Sequence, residues 1–176
     1  MNSPPKHSWL SNSVEVRVSS GKGKGLFARA VISVGEPVVR FGGTIMSLDD
    51  IRHGGANAHS YIAISENTFL GVPLGEPEQG DEFINHSCDP NLWMIDEVTL
   101  AARRQIAIDE EVTADYAMWE HDESWHCPWR CACGSAECRG QITGSDYIRY
   151  NLERRYAGHI APFLKERRHA PLVRTV

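Results

Sequence analysis

No stretch of this sequence approaches the ~20 consecutive apolar residues that a membrane-spanning helix needs. The opening residues, Met1 to Leu10, contain two prolines and no apolar stretch of the kind that leads a secreted chain. The expectation is a soluble, cytoplasmic protein (a nuclear one is not excluded) with no membrane partner. An excess of basic charge is also missing. Against 18 Lys+Arg stand 23 Asp+Glu, a net charge of −5, so no direct nucleic-acid binding is expected. There is no internal repeat. The glycine-rich stretch Gly21-Lys22-Gly23-Lys24-Gly25 lacks the Gly-Lys-Ser/Thr ending of a nucleoside-triphosphate loop and the Gly-x-Gly-x-x-Gly order of a dinucleotide site. Cysteine is sparse and odd in number, at five. In a chain without a secretory leader, that reads as metal binding with one spare thiol, and not as a disulfide framework.

What is present suits one domain, or one domain with an appendage. The chain has 176 residues, 41% hydrophobic and 23% charged, enough to bury a core without covalent staples. The charge is uneven. Met1 to Gly144 holds 11 basic and 20 acidic residues, whereas Ser145 to Val176 holds 7 and 3. An acidic body of this kind is either a surface that attracts basic peptides or simply a solvated acidic face.

Short strands dominate the pattern. Residues 1–13 read as a flexible tail. Val14 to Val18 alternates apolar and polar, as a half-buried strand does. Leu26 to Ala30, Val38 to Phe41, Tyr61 to Ile64, Thr68 to Leu70 and Val112 to Tyr116 are further strand candidates. Leu92 to Ile95 and Val98 to Ala102 form a candidate hairpin across Asp96-Glu97. Ser47, followed by Asp49 and Asp50, marks the start of one short helix. The end of the chain differs, since Ile148, Leu152, Tyr156, Ile160 and Leu164 recur every four residues. That spacing predicts one kinked helix, or two, interrupted near Gly158 and Pro162. The fold class expected is mainly β with C-terminal helices, built from small curled sheets.

Four segments carry chemistry. Asn85-His86-Ser87-Cys88-Asp89-Pro90-Asn91 crowds polar side chains between Phe83, Ile84, Leu92 and Trp93. Polar groups drawn into a core must be satisfied by protein, water or ligand, so this loop suggests a binding site. Glu110-Glu111-Val112-Thr113-Ala114-Asp115-Tyr116 ends a strand on a tyrosine, which can hold its hydroxyl in a pocket while its ring packs below. The Gly21 to Phe27 turn lets backbone amides approach a ligand. Cys131-Ala132-Cys133-Gly134-Ser135-Ala136-Glu137-Cys138 places three thiols within eight residues, the pattern of a zinc knuckle. Structural zinc wants four ligands, and the fourth is Cys127, His126 or Cys88.

In this order, the four segments resemble the SET-domain family of protein-lysine methyltransferases. Asn85 to Asn91 is similar residue for residue to that family's most typical stretch, and Glu110 to Tyr116 to its Glu-Glu-Leu-Thr-Phe-Asp-Tyr segment. Gly23 to Ala28 looks like its first cofactor-binding turn. Cys131, Cys133 and Cys138 with Arg139-Gly140 look like its post-SET zinc motif. The resemblance implies a SET domain over residues 14–120, a post-SET zinc-binding loop over 121–144 and a C-terminal helical extension over 145–176. It implies small sheets around a pseudoknot, in which Asn85 to Asn91 crosses the strand ending at Tyr116.

The implied activity is transfer of a methyl group from S-adenosylmethionine to lysine of a basic protein or peptide. Tyr116 would be catalytic. Lys24, Gly25, Leu26, Asn85, His86 and Tyr61 would bind the cofactor, the first three by main chain. Phe41, Ala114, Tyr116 and Trp119 would line the substrate channel. Cys88 would complete the structural zinc site with Cys131, Cys133 and Cys138, leaving Cys127 spare. Three positions depart from the family pattern. Phe41 stands where a channel tyrosine is common. Ala114 stands where a bulky aromatic limits methyl number, so more than one methyl is expected unless Trp119, Trp125 or Trp129 fills the space. Asp81-Glu82 adds negative charge before Phe83. The alternative reading is a catalytically inactive SET fold serving as a protein-binding module.

Overall fold

The computed structural model describes residues 5–19 and 21–169. The expectations for residues 1–4, Ser20 and 170–176 lie outside them. Among the described residues the chain runs through β1 (Trp9–Leu10), β2 (Val14–Ser19), β3 (Gly23–Ala28), β4 (Pro37–Arg40), β5 (Thr44–Ser47), α1 (Leu48–Arg52), β6 (Ala56–Ala63), β7 (Thr68–Pro73), β8 (Asn85–His86), β9 (Leu92–Met94), β10 (Thr99–Ala102), β11 (Glu111–Ala114), α2 (Asp146–Arg149), α3 (Leu152–Arg155) and α4 (Pro162–His169). Short 3-10 turns occupy Asp81–Phe83 and Tyr116–Met118. No described helix is long and apolar enough to cross a membrane.

The strands form three small sheets, ordered β1-β4-β10-β9, β2-β3-β11-β8 and β5-β7-β6. Neighbours pair antiparallel with one exception that matters for the site. β8 runs parallel to β11, with Asn85 opposite Thr113 and His86 opposite Ala114, and the Ser87 N–H donates to the Ala114 carbonyl at 3.0 Å. Asn91 fastens the same crossing. Its side-chain N–H donates to the Glu111 carbonyl at 2.8 Å, and its oxygen accepts from the Thr113 N–H at 2.8 Å. Asn91 is buried, so these bonds replace the water it gives up. The polar loop is thus a crossing of two segments, as the family resemblance implied.

The core lies between the first two sheets, where Leu26, Val39, Leu92, Leu100, Ile106 and Val112 pack in one cluster. The hairpin expected over 92–102 is present as β9 and β10. α1 starts on a capping box, the Ser47 hydroxyl accepting from the Asp50 N–H and the Asp50 carboxylate from the Ser47 N–H.

Three sequence expectations differ from what is found. Residues 5–10, read as part of a flexible tail, lie along the body. β1 pairs with β4, the Gly43 N–H donates to the Pro5 carbonyl, and the Gly42 N–H to the Ser8 hydroxyl. Gly42 makes this possible, because an added Cβ would sit 2.2 Å from the His7 carbonyl carbon. The valines of β2 do not share one buried face. Val14 is buried, Val16 is 42% exposed and Val18 86%, as the β2–β3 hairpin runs out beyond the core. The C-terminal stripe gives three short helices. Leu152, Tyr156, Ile160 and Leu164 are buried, but Ile148 is 50% exposed. Asn151 adopts a left-handed conformation (φ 49°) between α2 and α3, which resets the helical phase and brings Tyr147 inward instead.

Candidate functional site

Two cavities flank the β8–β11 crossing. The first, of about 230 Å³, is mainly apolar, with Phe41, Tyr61, Ile62, Ile84, Tyr116 and Trp119 on its wall. The second, of about 490 Å³, is bordered by Gly21, Lys22, Asn85, His86, Trp129 and the start of the cysteine loop, Cys131 to Cys133. Tyr116 joins them. It lines the first cavity, while its ring packs at 5.2 Å on His86 and at 6.3 Å on Trp129, both of which border the second.

Local structure explains where Tyr116 points. β11 ends at Ala114, and the Asp115 carboxylate caps the following 3-10 turn by accepting the Ala117 N–H. The Tyr116 hydroxyl donates to the Ile84 carbonyl at 2.8 Å. Its backbone N–H donates to Nδ1 of His86 at 3.3 Å. That bond places the imidazole proton on Nε2, which faces the Cys88 sulfur at 3.3 Å. Burial holds His86 down to about 4 and raises the Tyr116 phenol well above its ordinary range. Both rings are therefore neutral near pH 7.

Asn85 is oriented by its neighbours. Its side-chain N–H donates to Glu111 Oε1 at 2.7 Å and to the Lys24 carbonyl at 3.0 Å. Glu111 also accepts from Ser19 and pairs with Lys22 at 2.9 Å. Gly25 lies against this cluster, since a Cβ there would fall 2.7 Å from Glu111 Oε1. Among the expected cofactor residues, Asn85 and His86 border the larger cavity, and Lys24 is tied to it through Asn85. The Leu26 side chain is core. Tyr61, which the resemblance puts near the substrate channel and among the cofactor residues, lines the apolar cavity.

Among the expected channel residues, Phe41, Tyr116 and Trp119 line the apolar cavity. Ala114 does not. It is fully buried in β11 opposite His86, so its small side chain faces packing. Trp119 stands beside Tyr116, with ring centroids 5.8 Å apart. Four further groups stand on this cavity, His59, Glu120, Trp125 and Asp81. The sequence points to Trp125, as one of the tryptophans that could fill the space beside Ala114, and to Asp81, through the acidic pair Asp81-Glu82, but not to His59 or Glu120.

The sulfur atoms of Cys88, Cys131, Cys133 and Cys138 lie within 4.8 Å of one another. Ligands at 2.3 Å on a tetrahedral ion stand about 3.8 Å apart, and Cys88 Sγ is 3.9 Å from Cys131 Sγ. The donor set fits a metal ion. Burial pushes the Cys88 thiol up to about 11. Burial also opposes ionisation of Cys133, but backbone N–H groups directed at its sulfur bring it down to about 7. Cys127 is buried outside the four and borders the apolar cavity.

A charged network ties the cysteine loop to the tyrosine. Arg139 follows Cys138 and grips Asp115 with two bonds, at 2.6 and 2.9 Å. Its Nε lies 3.2 Å from Asp146. Tyr156 of the C-terminal helices donates to Asp115 at 2.8 Å. Asp115, Asp146 and Tyr156 are fully buried.

Comparison with known proteins agrees with this geometry. The family model for the SET domain matches residues 23–117. The H3 lysine-4 specific histone-lysine N-methyltransferase of Emericella nidulans is 32% identical over 135 residues, 66% of this chain and 10% of that protein. Human histone-lysine N-methyltransferase 2B is 31% identical over 138 residues, 72% and 5% of the two chains. The curated relatives are far longer, and this chain aligns with only 2% to 14% of their length. In fold, the chain is similar to the methyltransferase domain of human SETMAR, with a TM-score of 0.61 at 23% identity, covering 74% of this chain and 58% of that one. It is also similar to KRYPTONITE in complex with mCHH DNA, an H3 peptide and SAH, with a TM-score of 0.59 at 27% identity, covering 75% and 30%.

Proposed function

This chain belongs to the SET-domain family, and on that footing we propose that it methylates lysine side chains of a basic protein or peptide, using S-adenosylmethionine. The observation that carries the reading is the position of Tyr116. It is on the wall of an apolar cavity suited to a lysine stem, and it packs on the two aromatic rings that border the neighbouring, larger cavity.

When bound, the cofactor supplies an electrophilic methyl group on a positively charged sulfur. Asn85, His86, Lys22 and Trp129 would hold it in the larger cavity, together with the main chain of Lys24, Gly25 and Leu26. Phe41, Tyr61 and Trp119 would enclose the aliphatic part of the lysine. Free lysine has a pKa of ~10.4 and is charged near pH 7. An apolar enclosure disfavours that charge and lowers the pKa. Burial keeps the Tyr116 phenol protonated. With its proton committed to the Ile84 carbonyl, its oxygen has a lone pair free to accept an N–H of the amine. That contact aims the nitrogen lone pair along the line of transfer, and alignment of this kind is a large part of the rate gain.

The metal we assign to Cys88, Cys131, Cys133 and Cys138 is zinc. Its role is structural, because four cysteines leave no open position for water. Holding Cys88, two residues after His86, to the 131–138 loop builds one wall of the larger cavity. Ala114 lies off this cavity and does not bear on methyl number, but on the cavity's volume of about 230 Å³ we further propose that it accepts partly methylated lysine, so that more than one methyl is added. Incubation with S-adenosylmethionine and basic peptides, read by mass spectrometry, tests both points. Methylated lysine is expected, with products beyond one methyl. Monomethyl product alone would remove the second claim.

A further inference from the structure

Two carboxyl groups border the apolar cavity, and lysine enclosure by itself does not require them. Asp81 opens the 3-10 turn before Phe83 and is 3% exposed. Its Oδ1 is buried and has no hydrogen-bond partner. Glu120 is 7% exposed. Its backbone N–H donates to the Tyr116 carbonyl at 3.0 Å, so it leaves the chain one turn after the tyrosine. Its Oε1 accepts the N–H groups of His121 and Asp122 at 2.9 and 3.1 Å. No lysine or arginine is among the described residues that line this cavity. The other titratable groups on its wall are His59, Tyr61, Tyr116 and Cys127. Glu82, His121 and Asp122 stand next to the pair in sequence.

Burying carboxyl groups in an aromatic cavity is costly unless a partner arrives. Burial pushes Asp81 up to about 6 and Glu120 up to about 7. Asp81 has the Ser8 hydroxyl and Glu120 has two backbone N–H groups, but neither has a cationic partner on this wall. A cationic side chain entering the cavity would supply one, and a carboxyl group that titrates near neutral pH is suited to exchange a proton there.

Resting on the methyl-transfer reading above, we propose that Asp81 and Glu120 receive the ammonium group of the substrate lysine and that Glu120 accepts the proton it must lose. One N–H bond of the ammonium breaks, its electron pair remaining on nitrogen, and an O–H bond forms on the Glu120 carboxylate. The cation and the anion become a neutral amine and a neutral acid, a pair that an apolar enclosure favours. The freed lone pair is the one that attacks the methyl group. The proton on Glu120 returns to water when the product leaves.

The test uses the zinc-loaded full chain and two isosteric variants, Asp81→Asn and Glu120→Gln. Glutamine keeps the oxygen that the His121 and Asp122 N–H groups need. Butylammonium titration, followed through Trp119 and Trp125 fluorescence, should show roughly tenfold weaker binding in each variant. Glu120→Gln should lower kcat/KM near neutral pH by about 10²-fold. Its rate should then climb nearly tenfold per unit between about pH 6 and 9, as solvent supplies the neutral amine. A peptide carrying thialysine, a less basic amine, should recover most of the loss.

Butylammonium binding unchanged in both variants would overturn the recognition role. A Glu120→Gln profile parallel to that of the unsubstituted protein, or a loss that thialysine does not relieve, would overturn the proton role. Butylammonium binding that depends on Asp81 and Glu120, in a protein that methylates no peptide, would sustain the cation site. It would overturn the proton step together with the methyl-transfer reading.

Discussion

Arg139 grips the carboxylate of Asp115 with two hydrogen bonds, at 2.6 and 2.9 Å, in a fully buried setting. One partner directly follows the last thiol of the cysteine cluster, and the other directly precedes Tyr116. The cysteine loop and the tyrosine are therefore coupled through one ion pair, and Tyr156 brings the C-terminal helices into the same contact.

Removing one member of a buried pair leaves the other charge uncompensated. Asp115→Asn is expected to cost about 3–5 kcal/mol of stability. Tyr156→Phe, which removes one bond while Arg139 stays in place, is expected to cost only about 1–2 kcal/mol. Urea unfolding of the zinc-loaded protein measures both. A milder loss in Asp115→Asn than in Tyr156→Phe would contradict the coupling.

The four-thiol site separates two buried cysteines that the sequence offers on equal terms. Cys88→Ser should lose bound zinc, as measured by metal analysis after gel filtration, whereas Cys127→Ser should retain it. Stripping the metal with a chelator should lower the melting temperature and weaken cofactor binding, because Cys131 to Cys133 border the larger cavity.

Stability should also report on Glu120. Burial raises its carboxyl from 4.5 to about 7, so the folded chain holds this proton more tightly than the unfolded chain does. That contribution is complete below about pH 4.5 and disappears as the pH rises through about 7. It amounts to roughly 3 kcal/mol. Glu120→Gln should remove this part of the pH dependence and leave the variant more stable than the parent at pH 8. Denaturant unfolding across this range is the measurement, and parallel curves for the two proteins would contradict the burial.

Much of this arrangement was legible in the sequence, because local chemistry and topology agree there. Ser47 and Asp50 spell a capping box, and β9 and β10 follow the alternation of residues 92–102. The polar run from Asn85 to Asn91 proved to be a crossing of two segments, stabilised by Asn91 against β11. Other features were hidden because they depend on contacts between distant positions. A Gly-Gly pair at 42–43 does not announce that residues 5–8 will lie against it. The four-residue stripe from Ile148 to Leu164 holds only after the left-handed turn at Asn151. Ala114 reads as a gap beside the tyrosine, yet its side chain is spent on packing against the crossing, and Trp119 forms the cavity wall. Glu120 shows no signal in sequence, since one acidic residue among Trp119, His121 and Asp122 is ordinary. Only the fold turns it toward an apolar enclosure.

The most direct test of the account is methyl transfer by the zinc-loaded protein with and without the Tyr116 hydroxyl. The two proteins are incubated with methyl-labelled S-adenosylmethionine and a library of basic peptides, and cofactor binding is measured in parallel by calorimetry. The account requires label on lysine with the parent protein, and a loss of at least about 10²-fold in Tyr116→Phe while cofactor affinity stays within a few fold. Label transfer at undiminished rate by Tyr116→Phe, or none by a parent protein that binds the cofactor, would contradict it.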